Sequence, residues 1–249
     1  MNISTHRRFG IAMLAALWVA APLLAQDEDD DFKPRTGTPP AKRTGGASRG
    51  GPTNGEASAT VLILAPADTV GLTTRGQPVI YWHLSADTTH PVEIAINDPR
   101  KLETPVLEAR MDPPVRAGLH KLDLSRLKHD GKAVELEPGV KYDVVVEVVG
   151  SEAAASNNAS ATCRIMRLED QAVSAEAAGE KDSAKRAALF GGYGVWFDYL
   201  DALNAAIAAS PKDEALLQKR AKTLAGQRLI WKPDGSIADA GQEDVARKP

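Results

Sequence analysis

Short apolar runs separated by turn-forming residues dominate the chain between residues 59 and 168. Seven runs have the length and composition of β-strands and are bounded by Gly, Pro, Asn and Asp clusters; they cover 60–65, 79–84, 92–96, 106–111, 119–124, 142–149 and 160–168. Apolar residues alternate within them, as at Ile80, Trp82 and Leu84. The pattern predicts an all-β immunoglobulin-like or fibronectin-III-like sandwich over residues 59–168.

The stretch LEPGVKYDVVVEVV, residues 136–149, has the sequence of a sandwich corner. Leu136 precedes a Pro-Gly turn, and Tyr142 then opens an alternating strand. In such sandwiches the tyrosine hydroxyl bonds to backbone a few residues upstream and fixes the connection between the two sheets. We therefore expect Tyr142, together with the inward-facing Trp82, to have a structural role.

A helical period replaces the alternation after Leu168. One helix is predicted over 169–189, and a second along the face marked by Trp196, Leu200, Leu203 and Ile207. Ser210 as N-cap and Pro211 at the first position predict the start of a third helix, which ends at Gly226.

The junction before Pro211 resembles that of a tetratricopeptide repeat, but only one such unit is present. A single helical pair cannot bury both of its faces. We therefore predict a short C-terminal α-helical unit, tetratricopeptide-like, over 169–229, which packs on the sandwich or on a partner. A flexible tail is predicted over 230–249.

The N-terminus has the layout of a secretory signal peptide. Arg7 and Arg8 precede an apolar run over 9–24, Ala25 supplies a small residue, and an acidic run follows. The apolar run is shorter than the roughly 20 residues of a membrane-spanning helix. We expect cleavage after Ala25, a periplasmic or secreted protein without a transmembrane helix, and a disordered leader over 26–58, where Gly, Pro, Ser and charged residues are dense.

Charge and motifs argue against several function classes. The formal net charge is -3, and Lys and Arg show no basic cluster that would indicate nucleic acid. A zinc site needs three or four converging ligands, whereas only His83 and His90 flank one turn, so solvent-facing histidines and no metal are expected. Asp198 and Asp201 are interpreted as part of a solvated face.

No nucleophile elbow or phosphate-binding loop is present, so neither catalytic residues nor a cofactor is predicted. Cys163 is the only cysteine, and it falls on the apolar face of a predicted strand. We interpret it as a buried structural thiol.

Several motifs, in their order along the chain, resemble a known family. They are GTPPAKRTGGASRG, VLILAPADTVGLTTRGQPVIYWHL, the LxPGxxYxV strand and RAALFGGYGVWFDYLDAL. This order resembles the bacterial family named domain of unknown function 928, met mostly in cyanobacteria. The resemblance covers most of the mature chain and implies an exported protein but no reaction. Members often carry two cysteines that are absent here, so the resemblance implies no disulfide.

Four aromatic residues crowd into seven positions: Tyr193, Trp196, Phe197 and Tyr199. Helix neighbours one and two apart point to different sides, so either part of this set is exposed for a protein partner or all four are wedged between the helices and the sheet. The favoured interpretation is a non-enzymatic binding or adaptor protein that engages an envelope protein through these aromatics. The alternative is a carbohydrate- or envelope-polymer-binding sandwich using Tyr81 or His83.

Overall fold

The computed structural model describes residues 32–35, 44–45, 59–101, 103–150, 159–232 and 237–239. The predicted signal peptide over 1–25 and most of the predicted leader lie outside the described residues.

Thirteen strands are present in the described residues: β1 (Thr44–Gly45), β2 (Val61–Ile63), β3 (Gly71–Thr73), β4 (Val79–Leu84), β5 (Val92–Asn97), β6 (Leu107–Met111), β7 (Gly118–Asp123), β8 (Lys128–His129), β9 (Lys132–Ala133), β10 (Lys141–Val148), β11 (Ala159–Arg167), β12 (Leu229–Trp231) and β13 (Ile237–Asp239). All seven predicted strands are confirmed, with ends within two residues of those expected. The alternation of apolar and polar residues identified these strands because each strand has at least one face in the core.

Two sheets form the β-rich region. The first has the order β1-β2-β4-β7, and the second has the order β3-β11-β10-β5-β6. Neighbours pair antiparallel except β11 and β3, which are parallel. The inward residues of both sheets contribute to one hydrophobic core, which also includes residues of the helices that follow. The arrangement is sandwich-like, with the helices joined to it through a common interior.

The predicted corner and the Trp82 site are both part of this interior. Tyr142 is buried, and its hydroxyl accepts a hydrogen bond from the backbone N–H of Glu137 at 3.0 Å, as predicted. The Glu137 carboxylate in turn contacts Arg100 at 2.8 Å. Trp82 is also buried, and the imidazole ring of His120 on β7 stacks on it at 4.2 Å. Both residues have the surroundings expected of structural residues.

Four helices follow in the described residues: α1 (Gln171–Gly179), α2 (Ser183–Gly192), α3 (Trp196–Ala209) and α4 (Glu214–Gly226). The single helix predicted over 169–189 is wrong, because the chain breaks after Gly179 and Asp182 caps a new helix by accepting from the N–H groups of Ala184 and Lys185. The predicted start at Ser210 is also wrong. Asp213 caps α4 instead, since its carboxylate accepts from two first-turn N–H groups.

Parts of the predicted leader and tail contact the folded region where the structure describes them. Thr44 and Gly45 pair with β2, and Lys33 donates a backbone hydrogen bond to Gly191. In the tail, β12 pairs with β13, and Leu229 and Ile237 are buried. These segments are ordered by partners distant in sequence, which their local composition does not reveal.

Two further observations concern the helices and the cysteine. Among the described residues, no helix has the length and apolar character needed to cross a membrane. Cys163 is buried as expected, and burial raises the pKa of its thiol well above the usual range. The thiol is therefore unreactive in the folded protein.

Candidate functional site

The aromatic residues of α3 lie at the junction of the helices with the sheets. Trp196 is fully buried, and its indole N–H donates to the carbonyl oxygen of Leu64 at 2.8 Å. Phe197 packs on Gly71 so closely that a Cβ at this glycine would overlap its ring. The Tyr199 hydroxyl is hydrogen bonded to the hydroxyl of Thr223, which lies on α4, at 2.6 Å. One helix thus presents adjacent aromatic residues to different neighbours.

This burial corrects the expected exposure of the aromatic set. Trp196, Phe197 and Tyr199 are each at most 1% exposed, so they offer no free surface to a partner. Tyr193 alone of the four is exposed, and its hydroxyl donates to Glu176 at 3.1 Å. The physical reason is that α3 contacts α2, α4, β3 and β4 on different sides. Side chains that point away from the helix in different directions are therefore buried.

A cluster of charged residues joins α3 to the sheets beside the aromatics. Asp198 is 1% exposed; its carboxylate accepts from the Thr74 N–H at 2.8 Å and lies 3.0 Å from Nε of Arg75. Arg75 also reaches Asp201 at 2.7 Å. Tyr81 donates its hydroxyl hydrogen to Asp201 at 3.1 Å. The interpretation of Asp198 and Asp201 as a solvated face is therefore wrong.

The electrostatics of this cluster follow from its burial. Removal from water raises the pKa of Asp198, while the guanidinium of Arg75 opposes that rise. Burial and then the charge of Asp201 raise the pKa of the Tyr81 phenol. Lys121 adds a second cation, 3.5 Å from Asp201. Two carboxylates thus face two cations across the contact between α3 and the first sheet.

The histidines are distributed differently from the sequence interpretation. His83 is 2% exposed on the face of β4 that also carries Tyr81, so its expected exposure is corrected. His90 lies on the surface as expected. In the part of the chain that the structure describes, no group of three or more His, Cys, Asp or Glu residues is placed to hold a metal ion.

An open trough lies on the outer face of the second sheet, away from the helices. It has a volume of about 330 Å³ and is lined by β5, β6 and β10. Ala95 and Val145 pair across the strands and form its floor. The walls are the charged side chains Glu93, Glu108, Arg110 and Glu147. Small floor residues between long charged ones create the depression.

The charges around the trough are unequal. Three glutamates face one arginine, and Arg110 contacts Glu93 at 2.6 Å across the strands. Glu93 also stands directly opposite Glu147 in the sheet register. Sequence analysis missed this site because its members come from three strands whose register only the folded sheet defines. The outward residues of each strand were nevertheless predictable from the alternation.

Comparison with known families places these three features within one family match. Residues 44–230 match the family model described as Domain of Unknown Function (DUF928). The chain belongs to this family. The matched residues include the aromatic junction, the charged cluster and the trough, so all three lie within the DUF928 domain. No curated protein matches the chain.

Proposed function

We propose that this DUF928 protein is an exported, non-enzymatic binding protein of the cell envelope, in which an immunoglobulin-like sandwich holds a partner protein on the outer face of its second sheet. The observation that carries the proposal is the trough over β5, β6 and β10. Its volume of about 330 Å³ lies within the range of ordinary ligand sites, and its charged walls are solvent-accessible.

The charge of the trough favours a basic partner segment. Glu108 is an exposed carboxylate on the wall of the trough, and Arg110, the arginine of the lining, is engaged by Glu93. A lysine or arginine side chain could lay its methylene groups on the methyl groups of Ala95 and Val145 and place its charge among the glutamates. Charge complementarity of this kind increases the association rate and excludes acidic partners.

Neither surface considered from the sequence supports binding as well. The α3 aromatics are buried, so they form no exposed aromatic patch of the kind that the sequence interpretation required. Tyr81 and His83, on which the carbohydrate hypothesis depended, are also buried. The trough is lined by Glu, Arg, Ala, Val and Ile without an aromatic platform, which favours a protein segment over a sugar.

Crosslinking in the native host tests the proposal. The tagged protein and two charge-reversal variants are crosslinked in vivo, and the captured proteins are identified. Glu108→Lys changes a wall of the trough, whereas Glu103→Lys makes the same change at an exposed position outside it. We expect Glu108→Lys to lose most of the captured partner and Glu103→Lys to retain it.

Point substitutions are preferable to truncation at Leu168. The helices share the core with the sheets, so their removal would expose apolar residues and capture proteins nonspecifically. Undiminished capture by Glu108→Lys would show that the trough is not the contact surface. An equal loss of captured partner with both variants would show that the change in overall charge causes the loss, and this result would also contradict the proposal.

A further inference from the structure

A short segment of the predicted leader is seated on the helical unit. The Phe32 ring lies edge-on to the Trp196 ring at 4.9 Å and is tilted against Tyr199 at 5.7 Å. Phe32 is half-buried and packs on the core. An aromatic residue thus enters a slot whose two walls are the aromatic side chains at the start of α3.

Backbone and charge contacts continue the recognition beyond Phe32. The Lys33 N–H donates to the Gly191 carbonyl oxygen at 3.1 Å, and Nε of Arg35 donates to the Tyr193 carbonyl oxygen at 2.7 Å. Both acceptors lie at the C-terminal end of α2, where the helix dipole favours a cation. Pro34 restricts Lys33 to extended conformations, which suits a segment lying along a groove.

Gly194 permits this close approach. Its φ is +67°, and a Cβ there would lie 2.5 Å from the Lys33 carbonyl oxygen and 3.0 Å from Cγ of Arg35. A side chain at this position would therefore block the segment. The α2–α3 connection thus has both the backbone conformation and the free space that the segment requires.

The groove extends beyond the residues that occupy it. A cavity of about 340 Å³ adjoins Phe32 and is bounded by Lys222, Thr223, Gly226 and Gln227 at the C-terminal end of α4. The Phe32 ring forms one wall of this cavity. Space therefore remains beside the aromatic slot for a ligand larger than the seated segment.

We infer that this groove is a peptide-recognition site for an extended segment of a partner protein, with an aromatic residue three positions before an arginine, and that residues 32–35 occupy it in cis. The seated segment displays the chemistry that the groove selects: a ring for the Trp196–Tyr199 slot, an N–H for Gly191 and a guanidinium for Tyr193. The site is separate from the trough, so each can be tested without the other.

Because residues 32–35 are tethered to the groove that they occupy, they compete with any free peptide for it. A segment joined to its own groove acts at an effective concentration on the order of millimolar, so a free peptide must displace it. Weakening the cis contact raises the fraction of protein with an open groove and increases the apparent affinity for free peptide by the same factor.

Fluorescence anisotropy tests this inference with a labelled peptide of sequence DDFKPRTG, which corresponds to residues 30–37. The purified full chain is compared with Phe32→Ala, and a peptide with alanine in place of phenylalanine is the control. We expect Phe32→Ala to bind the peptide about tenfold or more tightly than the unchanged protein. The alanine peptide should bind neither protein.

Arg35→Ala provides a second opening variant in case Phe32→Ala does not fold. It removes the guanidinium contact with Tyr193 and leaves the core intact, so a smaller increase in peptide affinity is expected. Folded variants that bind the peptide no better than the unchanged protein would overturn the inference and make the segment purely structural. A protein that is dimeric by light scattering, and monomeric as Phe32→Ala, would assign the groove to a second copy and overturn the partner assignment.

Discussion

The outer faces of β4 and β5 differ in what covers them. All six residues of β4 are buried, and Tyr81 on its outer face reaches Asp201 of α3. In β5 buried residues alternate with more accessible ones, and the outward Glu93 and Ala95 line the open trough. The covered face carries the stability of the helix–sheet junction, whereas the open face is available for binding.

The residue composition of the two strands reflects this difference in burial. The run VIYWHL has no strongly charged residue, and the run VEIAIN places polar or small residues at alternate positions. A strand covered on both faces has no position at which a charge can be hydrated, while a strand with an open face has such a position at every second residue. Substitutions on the two faces should therefore differ in kind.

The largest expected effect is at the covered junction. Trp196→Ala should lower the free energy of unfolding by about 3–5 kcal/mol, because it leaves a large cavity and removes the bond to Leu64. Val145→Ala on the trough floor should cost about 1 kcal/mol or less. Urea denaturation measures both. Equal costs would mean that the helices are not part of the cooperative unit.

Removing the buried carboxylate should have the next largest effect. Asp198→Ala leaves the Thr74 N–H without its acceptor and removes one of the two counterions of Arg75, at a cost of about 2–3 kcal/mol. The cost is limited because Arg75, at 38% exposed, can be rehydrated. Asp198→Asn keeps an acceptor for the Thr74 N–H and removes the buried charge, so it should lose much less stability than Asp198→Ala by urea denaturation. A larger loss for Asn than for Ala would contradict this assignment.

The tyrosine corner tests whether the sheets and helices unfold together. Tyr142→Phe removes the hydroxyl that accepts from Glu137 and should cost about 1 kcal/mol. Thermal unfolding can be followed by near-ultraviolet circular dichroism, to which the buried Trp82 and Trp196 both contribute, and by far-ultraviolet circular dichroism. Both midpoints should fall together, since a single core joins the two regions. Separate midpoints would indicate independent unfolding.

The pH dependence of Asp198 should be smaller and has a definite sign. Burial raises its pKa in the folded protein above the ordinary value of 3.8, so the folded state binds the proton more tightly than the unfolded chain. The free-energy cost of the ionised form is therefore present above the folded-state pKa and disappears as the pH falls through it. On acidification, the free energy of unfolding of the unchanged protein should therefore rise relative to that of Asp198→Asn. The opposite shift would mean that Arg75 outweighs burial.

The smallest effect on stability is expected at the open face. Glu108 is exposed, so Glu108→Lys should change the free energy of unfolding by about 0.5 kcal/mol or less. Urea denaturation of this variant also serves as the control for the crosslinking experiment, because a stable variant that loses its partner separates binding from folding. A cost above about 2 kcal/mol would show that the glutamate supports the sheet.

The strands and the corner of the sandwich-like region were predictable from the sequence alone. A strand with one face in a core needs an apolar residue at every second position, whatever its neighbours, so the alternation located seven strands. The Tyr142 contact spans five residues and was readable from its local motif. The burial of Cys163 followed from the same alternation. These properties depend on local geometry that the sequence encodes directly.

What covers each surface depends on how the elements pack together in the folded protein. A helical pattern shows which side chains share a face, but it does not show that α3 contacts protein on several sides. Because α3 does so, Phe197, Asp198 and Tyr199 are all buried. The trough requires the register of three strands, and β3 requires its parallel partner β11. The docking of Phe32 on Trp196 joins residues 164 positions apart. Contacts between residues so distant in sequence depend on the free energy of the whole packed arrangement, which no local period specifies.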